Sequence, residues 1–187
     1  MNWYHIDDLP PKEYSCGYCS KLIASARGYH TGANGQSSEA SHFVYICPNC
    51  KKPTYFHHDK QIPGVAPGNE VTHVPDNVHH LYFEARNCVA AGCYTSAVLA
   101  CRKLLMNIAV DQGADEGKNF VHYIEHLANK GFVPPNGKGW VDHIRKKGNE
   151  ANHEIVLMGK ADAEELILFS EMLLKFIYEF PNRVPSS

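Results

Sequence analysis

No apolar run in this sequence approaches the roughly 18–20 residues needed to cross a bilayer, so a membrane-spanning helix is not expected. The start, Met1-Asn2-Trp3-Tyr4-His5-Ile6-Asp7-Asp8, lacks the basic and apolar blocks of a signal peptide. A cytoplasmic location is the expectation that follows, and there thiols stay reduced and favour metal over disulfide. Excess positive charge is missing as well. The formal net charge is −2, which argues against a globally basic nucleic-acid binder. Internal repeats and long low-complexity tracts are also missing. What remains is 187 residues, 44% hydrophobic and 20% charged. That composition excludes global disorder, and the length suits one ordinary domain plus a small one.

Two pairs of cysteines stand out, Cys16-Gly17-Tyr18-Cys19 and Cys47-Pro48-Asn49-Cys50. A tight turn between two cysteines lets both sulfurs point at one ion, and two such turns complete a tetrahedron. Gly17 and Pro48 are residue types that such turns favour. Four protein ligands leave no position for water, so a structural zinc ion is expected, and no three-ligand site with an open position suggests a zinc hydrolase. His57 and His58 follow the second pair, but four cysteines already complete the site. The other three cysteines, Cys88, Cys93 and Cys101, lie in apolar helical sequence and are expected as small core residues.

The pattern divides the chain into three. Residues 1–58 are expected as a zinc ribbon with short strands at Leu22–Ala26, His42–Ile46 and Thr54–His57, where apolar and aromatic residues sit between turn formers. Residues 59–75 hold Pro63, Gly64, Pro67, Gly68 and Pro75 and read as a linker without helix. From residue 76 to 187 the period becomes helical. Five helices are expected: the first from Asp76 to near Gly92, the second about Thr95–Asp111, the third about Lys118–Asn129. The fourth starts near Lys138, and the fifth at Asp162, with Asp162 capping and Glu165 reaching back. The fifth carries apolar residues around most of its circumference, from Leu166 to Phe180, and so is expected either at the centre of a bundle or against a second chain. His79, His80, His122, His126 and His143 read as surface or partly buried helix residues.

One polar segment carries chemistry: Ile144-Arg145-Lys146-Lys147-Gly148-Asn149-Glu150-Ala151-Asn152-His153. On a continuous helix Arg145, Asn149 and His153 share one face. A guanidinium, an amide and an imidazole together suit phosphate binding and acid–base work near neutral pH. Lys146 and Lys147 add phosphate-binding charge. Lys-Lys-Gly-Asn is also how a helix ends, with Gly148 as its left-handed cap, and His153 would then only brace the fold.

The helical part, about residues 76–180, resembles the domain of unknown function 4145 family, on Ala97–Arg102 within the long second helix and on Ile144-Arg145-x-x-Gly148-Asn149-x-x-x-His153. An N-terminal zinc ribbon is a familiar attachment in that family, which is similar to the HEPN (higher eukaryotes and prokaryotes nucleotide-binding) superfamily. The resemblance implies a mainly α protein: a HEPN-like helical bundle of about five helices, preceded by a small β zinc ribbon. It implies a prokaryotic defence setting (restriction, toxin or antiviral) and a homodimer. It also implies binding of RNA or another nucleic acid, or of a protein partner from such a system. In ribonucleases of this superfamily paired motifs cleave RNA without metal, across a composite dimeric site. His153, Asn149 and Arg145 would be the catalytic group here, with Gly148 standing where those enzymes have Arg. Three readings stay open: a nucleic-acid-binding module, an endoribonuclease and a non-catalytic protein–protein adaptor.

Overall fold

The computed structural model describes residues 2–32, 40–133, 139–144, 146 and 157–183. Its chain contacts separate two compact units, Met1–Ala66 and Pro67–Ser187.

The first unit is a five-stranded antiparallel sheet whose strands lie side by side in chain order: β1 (Asp7–Ser15), β2 (Leu22–His30), β3 (His42–Ile46), β4 (Pro53–His57) and β5 (Lys60–Ile62). The expectation of a mainly α chain is therefore corrected to a mixed one. Two elements produce the difference. β1 was not foreseen because Pro10 and Pro11 interrupt it. They sit where the β1–β2 register shifts between Asp8 and Lys12, on an edge strand, which is where a sheet tolerates residues without an N–H. β5 is three residues long and lies inside the segment read as a linker.

Alternation along β4, carried to β3 by register, separates the two faces of the sheet. Tyr45, Thr54 and Phe56 are buried, whereas Val44, Tyr55 and His57 are half-buried. The buried face gathers Leu9, Tyr14, Tyr45 and Phe56 against Cys16 and Cys47. The Tyr14 and Phe56 rings meet edge to face at 4.9 Å, and the Tyr45 hydroxyl donates to the Pro10 carbonyl at 2.8 Å. Gly28 is required at its place on β2, since a Cβ there would lie 1.9 Å from the Val44 carbonyl oxygen. Gly17 is required for a related reason. Its Cβ would meet the Pro63 carbonyl oxygen at 2.3 Å.

The second unit is helical: α1 (Asp76–Ala90), α2 (Tyr94–Asp111), α3 (Phe120–Asn129), α4 over residues 139–144, and α5 (Lys160–Leu174). The last helix continues through one π-helical turn, Lys175–Glu179, into α6 (Phe180–Arg183). Its core runs from Val78 and Tyr82 of α1 through Leu104, Leu105 and Ile108 of α2 to Ile124 of α3 and Leu166 and Leu173 of α5. Asn119 caps α3 by accepting from the His122 N–H at 2.9 Å. α5 begins two residues earlier than expected. Asp162 does help to cap it, but from the third position, accepting from the Gly159 N–H at 3.0 Å. Cys101 is fully buried, and burial pushes its thiol up to about 12. Cys88 is half-buried, but Cys93 is exposed at the head of α2 and is not a core residue.

Two buried carboxylates fasten the segment before α1. Glu171 accepts from the Asn69 N–H at 2.9 Å and from Asn69 Nδ2 at 3.0 Å, and is bonded to Lys175 one turn on. Glu179 accepts from the Thr72 N–H at 3.1 Å and pairs with Arg183 at 2.6 Å. From the α1 side, buried Arg86 donates to the Pro67 and Gly68 carbonyls. Backbone polar groups of a proline- and glycine-rich segment thus find partners without regular structure.

Candidate functional site

The β1–β2 and β3–β4 hairpins each turn through one C-x-x-C pair, and antiparallel pairing of β2 with β3 brings both turns to one end of the sheet. The two turns repeat each other. The Cys16 N–H donates to the Lys21 carbonyl and the Cys47 N–H to the Lys52 carbonyl, each at 3.0 Å. The Ser20 N–H returns to the Cys16 carbonyl, and the Lys51 N–H to the Cys47 carbonyl. The residue after each second cysteine, Ser20 or Lys51, lies in the left-handed region at φ 56° and 60°.

The sulfurs of Cys16, Cys19, Cys47 and Cys50 all lie within 4.8 Å of one another. Cys16 Sγ and Cys50 Sγ are 3.7 Å apart, Cys19 Sγ and Cys47 Sγ 3.9 Å. A disulfide needs about 2.0 Å. An ion bound tetrahedrally at about 2.3 Å from each sulfur sets them about 3.8 Å apart. The spacing is therefore that of four ligands around one centre. Burial pushes the Cys50 thiol up to about 12, with the neighbouring thiols adding to it. Cys19 falls to about 7. Burial works against that shift, but the Lys21 N–H, the Asn49 side chain and the other thiols outweigh it. Four thiolates crowded together need a multivalent cation, and four protein sulfurs close its coordination. Among the described residues this is the one such cluster of potential ligands.

Arg145, Lys147, Gly148, Asn149 and His153 lie outside the described residues. Lys146 is helical and exposed, and Ile144 before it is fully buried. Nearby, His143 Nε2 contacts a Glu165 carboxylate oxygen at 2.8 Å, and Trp140 meets Phe169 edge to face at 4.9 Å, which ties α4 to α5.

Sequence reasoning missed a cleft of about 610 Å³ beside the second cysteine turn. Trp3, Tyr4, Ile6, Arg27, Pro48 and Lys51 contribute to its wall. The chain ahead of β1 folds over it. Trp3 Nε1 donates to the Lys51 carbonyl at 2.7 Å, and the Tyr29 hydroxyl donates to the Tyr4 carbonyl at 2.5 Å. Tyr4 itself is 74% exposed, a large ring without a packing role. Arg27 pairs only weakly with exposed Asp8, at 3.9 Å. The cleft therefore joins aromatic surface to two cations. The sequence signal was present in Trp3-Tyr4 ahead of β1, but only the fold places it beside Arg27 and Lys51.

No curated protein and no solved structure matches this chain. A family model described as "Domain of unknown function (DUF4145)" matches residues 83–186, from within α1 beyond α6. Because that match spans more than half of the sequence, the chain belongs to the DUF4145 family.

Proposed function

We propose that this chain is a zinc-held nucleic-acid-binding module of a prokaryotic defence system. The observation that carries the reading is the cleft in which Trp3 and Tyr4 meet Arg27 and Lys51 beside the four-cysteine cluster. Rings take nucleobases and cations take phosphates, and both are held at the end of the sheet that a metal ion would fix. Zinc is the ion that best suits four thiolates in a closed tetrahedron. The defence setting rests on the resemblance of the Ile144–His153 segment to HEPN proteins.

Mobility-shift titration with pooled RNA and DNA tests the reading. Binding is expected to weaken as salt rises. Arg27→Ala and Lys51→Ala are each expected to lower the salt slope by about one unit, since each removes a phosphate contact. If neither nucleic acid binds at low salt, the module reading is wrong and the protein–protein adaptor takes its place. RNA cleavage in chelator, abolished by His153→Ala, would instead mark a metal-independent endoribonuclease.

A further inference from the structure

We infer that the half-open face of the sheet takes single-stranded nucleic acid by base stacking, with the Trp3–Tyr4 cleft at one end of its path. This rests on the nucleic-acid reading above and names the class of ligand. Register places the residues. Tyr29 pairs with Val44, Val44 with Tyr55, and Tyr55 with Ile62, so four strands contribute one row. His42 pairs with His57 and His57 with Lys60, which makes a second row beside it. Cross-strand partners share a face, and this face is the one opposite Tyr45 and Phe56. Ile62 ends the first row 46% exposed.

The rings are arranged as platforms. Trp3 packs against Tyr29 at 6.2 Å, edge to face. His42 and His57 lie 4.0 Å apart at 8° between planes. Tyr29 and Tyr55 stand two strands apart, about 10 Å. Three platforms (Trp3 with Tyr29, Tyr55, and the imidazole stack) suit about three bases of a splayed strand, the number that open aromatic sheets commonly take. A duplex keeps its bases stacked internally and cannot present them to these rings.

Charge on the rim complements a phosphate backbone. Arg27 and Lys51 stand at the cleft end and Lys60 at the far end of the imidazole row, against Asp8 and Asp59. The imidazole rings of His42 and His57 add stacking surface beside this charge. A protein partner with an acidic tail would use the cations but leave the rings without a role. The coincidence of both favours the nucleic acid.

The test is fluorescence anisotropy on the full chain, with its metal content verified, against labelled oligouridylate, oligothymidylate and a mixed-sequence duplex. One or both single strands should bind, and the duplex much more weakly. Tyr55→Leu keeps apolar bulk but removes the ring, and should weaken single-strand binding about tenfold or more, while Tyr55→Phe stays within about twofold of wild type. His57→Ala should weaken binding in the same direction and serves if Tyr55→Leu fails to fold. Duplex binding as tight as single-strand binding, or Tyr55→Leu and His57→Ala both without effect in metal-loaded protein, overturns the inference while leaving the broader module reading in place. Loss of all three probes in wild type overturns both.

Discussion

Removing one sulfur from the four-cysteine cluster should unfold the sheet unit and spare the helical one. Cys47→Ser is the perturbation. Cys47 is fully buried, and its sulfur lies 3.9 Å from Cys19 Sγ at the end of the sheet where both hairpins turn. Among the described residues, and apart from cysteines, the buried apolar side chains of this unit are Leu9, Tyr14, Tyr45, Ile46 and Phe56. At about 1.5–3 kcal/mol each they contribute roughly 8–15 kcal/mol before any cost of ordering the chain. A structural zinc site contributes about 10–16 kcal/mol, which exceeds the net stability of most domains. Without it the sheet should not hold. The helices have their own core, with Leu104, Ile124, Leu166 and Leu173 fully buried, and they should persist. Hydrogen exchange read by mass spectrometry resolves the two units. Residues 1–66 should exchange at unfolded rates in Cys47→Ser while residues 67–187 stay protected. Cys88→Ser, outside the cluster, should change neither. Full protection of 1–66 in metal-free Cys47→Ser would refute the reasoning.

Ser20→Gly should raise the stability of the sheet unit by about 1 kcal/mol, measured by denaturant titration, because Ser20 holds a left-handed φ of 56° that costs a side chain about that much. Glu171→Ala should destabilise the helical unit by about 3 kcal/mol, since its carboxylate accepts charge-assisted bonds from Asn69 and Lys175. Burial pushes the Glu171 pKa up, yet the bonds from Lys175 and Asn69 prevail and hold it below its ordinary value. That stability is therefore present above about pH 4.5 and lost as pH falls through the lower folded value, so the gap between wild type and Glu171→Ala should close in acid. His57 should titrate below the usual histidine value by NMR, from desolvation first and then repulsion by His42, His58 and Lys60. Its neutral form is the one that folding favours, so this contribution is present above about pH 6.5 and lost as pH falls through the folded pKa; His42→Ala should move the midpoint up. Light scattering should give about twice the chain mass, because Leu168, Phe176 and Phe180 are 57%, 46% and 41% exposed on the last helix, and Phe176→Lys should return a monomer. A wild type that is monomeric at every concentration would remove the dimer.

Residues close in sequence told most about this fold. β3 was legible from the apolar and aromatic run His42–Ile46 between turn formers, and the long second helix from its period. The cysteine cluster was legible because C-x-x-C encodes its own turn. β1 was not, because two prolines mask nine residues of strand, and with it went the weight of β structure in the chain. Contacts across long separations left no local trace. Glu171 and Asn69 are 102 residues apart, and nothing near either one announces the bond. The last helix read as apolar around most of its circumference, yet it carries Glu171 and Glu179 inward and Leu168 outward. The row of Tyr29, Val44, Tyr55 and Ile62 exists only through register. Each strand alone shows an aromatic or aliphatic residue of ordinary kind.

The most direct test of the account is the affinity of the full chain for a labelled oligouridylate or oligothymidylate, measured as purified, after the metal is stripped by a strong chelator under reducing conditions, and after zinc is restored. Binding should fall to background on stripping and return with about one zinc ion per chain, because four thiolates of Cys16, Cys19, Cys47 and Cys50 hold the sheet that carries the rings. Unchanged affinity in verified metal-free protein, or wild-type protein that binds neither zinc nor oligonucleotide, would contradict it.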